Sequence, residues 1–459
     1  MDWQKLLSTA RYKGGAFVSD GAELNDAVVH PLQKDVDRVL FSSAFRRLDS
    51  KTQVYIFPKT DFVRNRLTHS LEVERIGRTL ATNIFKRLSK GNSLYSKQIG
   101  EKIEKKNVVE AVSAACLAHD IGNPPFGHVG EFAIRSWFSN EEVQRSRPKL
   151  KELMEEEHAK DFEDFDGNAQ SFRIVTRLQG WGDAKGGLRL TAATLGALMK
   201  YPNDSANAVK KGKFGFYEAE REYFEALASE VDLPKNGKVY AKHPLALITE
   251  AADDIAYLTS DVEDAFKFGM VDYKTASAAL RQVASSIDTF EANLVDTIST
   301  EENKIKFLRS AASLAMVKEC ADTFVNREKE IISGEFSQSL IEATPNIRDK
   351  EAEIRSLCVE KIYFHPRKVR AETGAYEVMK HILSVYSEAI EDRLARGSDA
   401  SDRSINLLRT FDHDKKLETM VSSYQCYLAM LDYVSGMTDR FAMDVYNTLT
   451  GKNLSEGYF

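Results

Sequence analysis

Apolar residues recur with helical spacing in several long stretches of the chain. In residues 64–88 the apolar positions fall every three or four residues, and in residues 244–268 they again form one stripe. Shorter helices are also predicted over residues 34–50, over residues 108–119, which are small and apolar nearly throughout, and over residues 190–202. The strict alternation that is typical of half-buried strands is rare, and only residues 52–57, TQVYIF, suggest a short strand. The pattern therefore predicts an all-α fold with at most a few short β elements.

Composition narrows the class of protein without identifying a function. The chain has 459 residues, 43% hydrophobic and 29% charged, which is typical of a globular protein with a sizeable core. A net charge of −6 gives no overall nucleic-acid-binding signature, although it leaves room for a local basic patch. No apolar stretch approaches the roughly 18 residues of a membrane span, and the four cysteines are scattered without a CxxC pair. We therefore expect a cytoplasmic protein with reduced, mostly buried cysteines and no membrane contact.

The stretch that is richest in chemistry is AHDIGNPPFGHVGE, residues 118–131. An apolar helical stretch ends there at His119 and Asp120, and a polar pair at a buried helix end is costly unless it is coordinated or hydrogen-bonded. The pair therefore suggests metal ligation, with a structural salt bridge as the alternative. After a Gly-Asn-Pro-Pro turn, His128 and Glu131 lie three residues apart and can act as a proton-transfer dyad.

Two distant helices carry side chains of matching chemistry. His69 lies one turn into its predicted helix, off the centre of the apolar stripe, where a structural histidine is the alternative interpretation. Asp253, Tyr257 and Asp261 follow one another at i, i+4 spacing and form a polar stripe, for which a solvated face is the alternative. Two imidazoles and two carboxylates suit Mn, Fe, Co, Ni or Mg, and they are supplied here by His69, His119, Asp120 and Asp253. A divalent metal in such a site activates water and neutralises phosphate charge.

The order His … His-Asp … Asp resembles that of the HD-domain metal-dependent phosphohydrolases. Six stretches narrow the resemblance to the bacterial dGTP triphosphohydrolases, namely residues 37–54, 64–73, 118–131, 165–174, 250–265 and 432–442. The resemblance runs from near the start of the chain to about residue 446. It implies a mainly helical HD-domain fold and metal-dependent hydrolysis of dGTP, with other dNTPs left open, to deoxynucleoside and inorganic triphosphate.

The resemblance also implies roles for individual residues of this chain. The metal ligands are matched by His69, His119, Asp120 and Asp253, with Mn²⁺ or Mg²⁺ as the expected ion. The catalytic dyad is matched by His128 and Glu131. The sugar-contacting positions, which favour deoxyribose by leaving no room for a 2′ hydroxyl, are matched by Gln53 and Tyr257. The positions near the triphosphate are matched by Arg66, Lys213 and Asp261, the last with an indirect role through metal, water or a cation, and more weakly by Lys200.

Two departures favour the bacterial branch over the mammalian SAM-and-HD-domain dNTPase. That enzyme has a histidine four residues after the first of its His-Asp pair, where this chain has Asn123, and no SAM domain is expected before the core here. The base-recognition residues have no motif that can be carried over. Two other functions stay open: an HD-type phosphodiesterase or 5′-nucleotidase, and a binding protein that senses nucleotides or single-stranded DNA.

Domain organisation and assembly are expectations of the same kind. Residues 1–270 are expected to form the HD catalytic core with N-terminal helices. Residues 271–459 are expected to form a C-terminal helical region that packs on the core and contributes oligomer contacts. Family likeness implies a homo-oligomer, a hexamer, that acts on dGTP or another dNTP. Regulation by single-stranded DNA or by a second nucleotide is left open.

Overall fold

The computed structural model describes residues 1–19, 29–57, 63–99, 103–180, 187–208, 210, 212–411 and 422–452. In these ranges the chain is mainly helical, which confirms the predicted fold class. Its strands form two short antiparallel hairpins, β1 (Arg11–Lys13) with β2 (Ala16–Val18) and β3 (Lys235–Asn236) with β4 (Val239–Tyr240).

The helices follow one another with short connections. The first group comprises α1 (Trp3–Leu6), α2 (Pro31–Leu40), α3 (Ser43–Arg47), α4 (Arg66–Leu88), α5 (Leu94–Gln98), α6 (Lys105–Ala118) and α7 (His128–Phe138). The second comprises α8 (Glu141–Arg145), α9 (Pro148–Met154), α10 (Lys160–Glu163), α11 (Gly167–Arg173), α12 (Ala192–Leu198), α13 (Arg221–Glu230) and α14 (Pro244–Lys267). The third comprises α15 (Tyr273–Ala284), α16 (Ala292–Thr297), α17 (Glu301–Asn326), α18 (Glu328–Ser333), α19 (Pro345–Cys358), α20 (Pro366–Arg396), α21 (Asp402–Leu408), α22 (Ser423–Gly436) and α23 (Asp439–Leu449). Single turns of other helix types lie at Leu48–Ser50, Glu157–Ala159, Ile174–Leu178, Ser205–Asn207, Glu218–Glu220, Val359–Tyr363 and Gly397–Asp399.

The long periodic stretches form helices because their ends are capped and their stripes are buried. Helix α4 begins with a capping box. The Asn65 side chain accepts a hydrogen bond from the backbone amide of Thr68, and the Thr68 hydroxyl accepts one from the backbone amide of Asn65. Helix α14 begins with Pro244 in its first turn and with His243 as the N-cap. Both helices pack against each other and against α6, so the three elements that carry the predicted metal ligands are neighbours.

Two local predictions were wrong. The helix predicted over residues 34–50 is broken after Phe41, because the side chain of Ser42 accepts from the Phe45 amide and starts a new helix. The strand predicted over residues 52–57 consists of bends, with one β-bridge to Asn65. The Thr52 amide donates to the carboxylate of a distant aspartate, Asp439, instead of to a neighbouring strand.

Buried apolar side chains form two clusters. The larger cluster is built on α4, α6 and α14 and also takes in side chains from residues 271–362. The smaller cluster joins α7 to α20 and α22. The larger cluster contains residues on both sides of position 270. The packing therefore does not separate the two predicted domains, and the boundary at residue 270 remains a prediction.

Two further expectations concern the whole chain. Among the described residues, no helix has both the length and the apolarity needed to cross a membrane. All four cysteines are buried and free, as predicted from their scattered positions.

Candidate metal centre and active site

Three residues that are distant in the sequence meet where α4, α6 and α14 pack against one another. His69 lies in the first turn of α4, His119 caps the end of α6, and Asp253 lies in the middle of α14. Asp253 Oδ1 is 3.2 Å from His69 Nε2 and 3.5 Å from His119 Nε2. Ligand atoms of the three residues all lie within 4.8 Å of one another. This arrangement, the metal cluster, has the separations that a single ion can bridge.

The orientation of His119 favours a cation at this point. Its Nδ1 lies 2.7 Å from the carbonyl oxygen of Cys116, and since a carbonyl only accepts, Nδ1 carries the proton. The Nε2 of His119 is buried and has no hydrogen-bond partner. A buried, unpartnered imidazole nitrogen beside a carboxylate is costly unless a further group satisfies it. The donor set therefore fits a divalent metal ion, and the Cys116 carbonyl orients the imidazole as outer partners of ligands do.

The charges in the cluster depend on one another. Burial alone would lower the pKa of His119, but the carboxylates of Asp120 and Asp253 outweigh it and raise the pKa to about 9. Burial alone would raise the pKa of Asp253, but the positive charges of His119 and Lys200 hold it well below its ordinary value. The carboxylates thus attract positive charge to this point, and a bound divalent cation would take the place of the proton on His119.

Asp120 lies beside the metal cluster. Its Oδ1 is 3.5 Å from His119 Nε2 and accepts a hydrogen bond from Asn123 Nδ2 at 2.5 Å. Its Oδ2 accepts from Arg66 Nη1 at 2.6 Å. The residue at the position where the mammalian enzyme has histidine, Asn123, thus holds Asp120 in place. Direct ligation by Asp120 remains a prediction, because two donors already engage its carboxylate.

His128 and Glu131 form a hydrogen-bonded pair on the first turn of α7. His128 Nδ1 is 3.1 Å from Glu131 Oε2, while the other carboxylate oxygen accepts from the Gly167 amide at 2.9 Å. The His128 side chain is 72% exposed and that of Glu131 only 5%. Burial alone would raise the pKa of Glu131, but the hydrogen bond and charge of His128 outweigh it and lower the pKa to about 2. Glu131 is therefore a fixed anion that orients His128 and leaves Nε2 for proton transfer.

A cavity of about 1230 Å³ connects the metal cluster with this pair. The predicted site residues that line it are Gln53, Arg66, His69, His119, Asp120, His128, Glu131, Lys200, Lys213, Asp253 and Tyr257. The cavity is larger than the roughly 300–1,000 Å³ that is usual for small-molecule sites. The cavity is therefore large enough to hold a nucleotide.

Three of the cations that line the cavity are placed next to a carboxylate. Lys200 Nζ is 3.5 Å from Asp253 Oδ2, and Lys213 Nζ is 3.2 Å from Asp166 Oδ2. Arg66 bonds to Asp120 as described above. These pairs keep the positive groups ordered around the cavity, and positive groups of this kind bind phosphate.

Asp261 is the one predicted site residue that does not line the cavity. It is buried and accepts a hydrogen bond of 2.8 Å from the hydroxyl of Tyr363. Tyr363 does line the cavity, with its ring centroid 6.4 Å from that of Tyr257. Burial raises the pKa of Asp261 to about 7. Its contact with the lining of the cavity runs through Tyr363, and an indirect role through metal, water or a cation remains a prediction.

The chain resembles known proteins over nearly its whole length. The HD domain matches residues 66–166. A deoxyguanosinetriphosphate triphosphohydrolase-like protein of Synechocystis sp. is 34% identical over 99% of this chain and 100% of its own. A protein of the same description from Pseudomonas aeruginosa is 33% identical over 99% of each chain. The chain belongs to the deoxyguanosinetriphosphate triphosphohydrolase family. The deoxyguanosinetriphosphate triphosphohydrolase of Salmonella arizonae is 29% identical over 94% of this chain and 95% of its own.

Membership of the dGTP triphosphohydrolase family confirms the family resemblance drawn from the six stretches. Two residues of the metal cluster, His69 and His119, and the His128–Glu131 pair lie inside the matched HD domain. Asp253 lies outside the match, on α14, and reaches the cluster through packing of that helix on α4.

Sequence patterns missed several residues that line the cavity of this dGTP triphosphohydrolase family member. They include Asn168, Tyr201, Asp254, Arg355 and Tyr363. Asp254 directly follows Asp253, so the paired aspartates were a usable signal in the sequence. In the structure, burial raises the pKa of Asp254 to about 7. Arg355 and Tyr363 come from a helical region without an evident chemical motif, and only tertiary packing brings them to the cavity.

Proposed function

We propose that this protein hydrolyses dGTP to deoxyguanosine and inorganic triphosphate, with hydrolysis of other dNTPs left open. The observation that carries the proposal is one cavity that contains an imidazole–carboxylate cluster, a His–Glu dyad and several cations. The names of the relatives in Synechocystis and Salmonella support the same activity. A phosphodiesterase or nucleotidase acting on monophosphates would need fewer cations around its substrate.

His69, His119 and Asp253 would hold the divalent ion, which we propose to be Mn²⁺ or Mg²⁺, with Asp120 as the fourth ligand. When bound, such an ion activates water and neutralises phosphate charge. Arg66, Lys200 and Lys213 would bind the triphosphate, because ammonium and guanidinium groups pair strongly with phosphate oxygens. Gln53 and Tyr257 would contact the deoxyribose.

The His128–Glu131 dyad would carry out the proton transfer. In the reaction, the bond between the α-phosphorus and the 5′ oxygen breaks, and the oxygen of water becomes bonded to that phosphorus while the water releases one proton to solvent. His128 would donate a proton from Nε2 to the departing 5′ oxygen, while Glu131 holds Nδ1 and stabilises the charged imidazole. His128, whose side chain is 72% exposed, would regain from solvent the proton that it gives up. Buried Glu131 would neither give nor take a proton in this step, because its low pKa keeps it ionised.

A product-resolved assay tests the proposal. The purified chain is incubated with dGTP and Mn²⁺ or Mg²⁺, and the products are separated by ion-exchange chromatography. Deoxyguanosine and triphosphate are expected in equal amounts. Release of dGMP and pyrophosphate, or no turnover of any dNTP, would refute the function. Parallel reactions with dGMP and a cyclic dinucleotide distinguish the phosphodiesterase alternative, which requires the monophosphate or the cyclic substrate to be preferred.

Replacing Lys213 by alanine is expected to raise the KM for dGTP about 10- to 100-fold. A hydrogen bond to a charged group contributes about 1.5–3 kcal/mol, and each 1.4 kcal/mol is a factor of ten. Steady-state kinetics of the variant, with Mn²⁺ in excess, measure the change. The matched control is Lys149→Ala, which removes a lysine paired with Glu152 away from the cavity. An equal KM in the two variants would remove Lys213 from the substrate site.

We further propose a homo-oligomer, a hexamer by family likeness, that single-stranded DNA or a second nucleotide regulates. Light scattering after size-exclusion chromatography gives the mass of the assembly directly. Assays with each dNTP alone and in pairs, with and without single-stranded DNA, reveal any activation. A cytoplasmic location remains a prediction.

A further inference from the structure

The short connection between α22 and α23 bonds to two loops of the cavity without lining it. It lies within residues 432–442, one of the stretches that resemble the dGTP triphosphohydrolases and that the proposed chemistry does not use. Ser435 lies in the last turn of α22, and Asp439 is the first residue of α23. This connection presents a carbonyl and a carboxylate, both acceptors, to the loops beside the metal cluster.

Asp439 joins two loops that are far apart in the sequence. Its Oδ2 accepts hydrogen bonds from the Thr52 amide, at 2.9 Å, and from the Thr52 hydroxyl. Its Oδ1 accepts from the Phe126 amide at 2.9 Å. Asp439 is only 3% exposed, so these three donors compensate the removal of its charge from water.

Lys51 makes a second connection between the same elements. Its ammonium donates to the Asn123 carbonyl at 2.5 Å and to the Ser435 carbonyl at 2.8 Å. The Lys51 carbonyl accepts from the Arg66 amide at 3.1 Å, at the start of the helix that carries His69. Lys51 is only 2% exposed, so its ammonium depends on these carbonyls instead of on solvent.

The loops that these two residues hold carry site residues. Gln53 directly follows Thr52, and Asn123 donates to the carboxylate of Asp120. Phe126 lies two residues before His128 and has a φ of 63°, a left-handed conformation that is costly for a bulky side chain. A strained backbone persists only when its surroundings enforce it, and here the bond from the Phe126 amide to Asp439 contributes to that.

Close packing leaves this turn little freedom. Gly127 follows Phe126 with a φ of 60°, and a Cβ at Gly127 would lie 2.6 Å from Arg66 Nη2. The turn therefore passes directly over the arginine that bonds to Asp120. A shift of Phe126 would move Gly127 and His128 relative to the metal cluster.

We infer that Asp439 and Lys51 are positioning residues, which fix the turn 123–127 and the loop before Gln53 and so hold His128 at its place in the cavity that contains the metal cluster. The inference rests on the proposed function, because it concerns the distance between the dyad and the metal cluster. Neither residue touches substrate. Their effect is expected on the turnover step, since a misplacement of about 1 Å in a reacting group can cost about 10²-fold in rate.

The main test variant is Asp439→Asn, which keeps the volume but turns one acceptor into a donor. Its control is Asp35→Asn. Asp35 is also fully buried, accepts the amide and hydroxyl of Thr191 and pairs with Arg11, and none of these three residues lines the cavity. We expect kcat for dGTP to fall about 10²-fold in Asp439→Asn with KM within about threefold of wild type. In Asp35→Asn both constants should stay near wild type, although its stability also falls.

Hydrogen exchange gives a readout that does not need catalysis. In Asp439→Asn, amides of residues 49–57 and 121–128 should exchange about 10- to 100-fold faster, because a hydrogen bond to a charged group is lost. The Asp35 variant should leave these peptides unchanged. If Asp439→Asn does not fold, Thr52→Val replaces it, since it removes only the hydroxyl donor, and a smaller, about 2- to 10-fold, fall in kcat is expected.

The outcomes separate the two hypotheses. If the wild-type protein does not hydrolyse dGTP, the proposed function fails, while the exchange rates still decide whether Asp439 holds both loops. Unchanged exchange in these peptides overturns the inference. So does a kcat in Asp439→Asn equal to that in Asp35→Asn, or a loss that lies in KM alone.

Discussion

Replacing His119 by alanine is expected to abolish both stable binding of the divalent ion and hydrolysis of dGTP. His119 supplies one of the three side chains that converge within 4.8 Å, and its buried Nε2 has no other partner. Loss of an outer partner of a ligand already weakens metal binding about 10- to 100-fold, and loss of a ligand should exceed that. Calorimetric titration with Mn²⁺ measures the affinity, and elemental analysis of the dialysed protein measures the content.

The experiment needs a histidine that is outside the site. His158 suits this purpose, because it pairs with Glu218 and does not line the cavity. His158→Ala should bind Mn²⁺ and turn over dGTP like the wild type. Wild-type metal content in His119→Ala, with its activity intact, would show that the metal cluster has been assigned wrongly.

Much of the scaffold of this site could be predicted from the sequence. Helices α4 and α14 have clear apolar stripes and side-chain caps at their N-termini, and α6 is apolar and buried along nearly its whole length, so local patterns in the sequence predict all three. The His128–Glu131 contact could be predicted for the same reason, since residues three apart on a helix are neighbours. Spacing alone could not bring His69 to Asp253, which are 184 positions apart. That pairing was inferred from the matching ligand chemistry of the side chains and then from the family resemblance.

The predictions that failed, or that were never made, depend on contacts between distant parts of the chain. The strand predicted at residues 52–57 is absent, and the Thr52 amide donates its hydrogen bond to the carboxylate of Asp439, 387 positions away, instead of to a neighbouring strand. Asp261 shares a helix face with Asp253 in the sequence pattern. In the structure, however, Tyr363 lies between Asp261 and the cavity, and its hydroxyl donates a hydrogen bond to the Asp261 carboxylate. No periodicity encodes such partners, because a side chain that receives a bond from a remote loop looks like any other polar residue in its own helix.

Replacing His128 by alanine is expected to lower kcat for dGTP about 10²- to 10⁴-fold, the usual contribution of a general acid. The fold should be retained, because the His128 side chain is 72% exposed and buries little apolar surface. Metal affinity should also be retained, because His128 is not one of the three residues of the metal cluster. Single-turnover kinetics with saturating dGTP and Mn²⁺ measure the chemical step, and circular dichroism and Mn²⁺ titration check fold and metal.

Glu131→Gln tests whether His128 acts alone or as half of a pair. The amide oxygen of glutamine can still accept from Gly167, but the negative charge beside His128 is lost. If Glu131 acts through His128, the double variant should be no slower than His128→Ala, because residues that work as a unit are not additive. Multiplied losses in the double variant would mean that Glu131 acts on the reaction independently.

The pH dependence of stability gives Glu131→Gln a second test. The pKa of Glu131 is lowered from 4.5 to about 2, so its ionised form stabilises the folded state above about pH 4.5. That contribution is lost as pH falls through about 2. The free energy of unfolding of wild type and Glu131→Gln should therefore differ at pH 7 and converge on acidification. Urea titrations at pH 7, 5 and 3 measure the difference, and a gap that does not narrow between pH 5 and 3 would contradict an ionised, His128-bound Glu131.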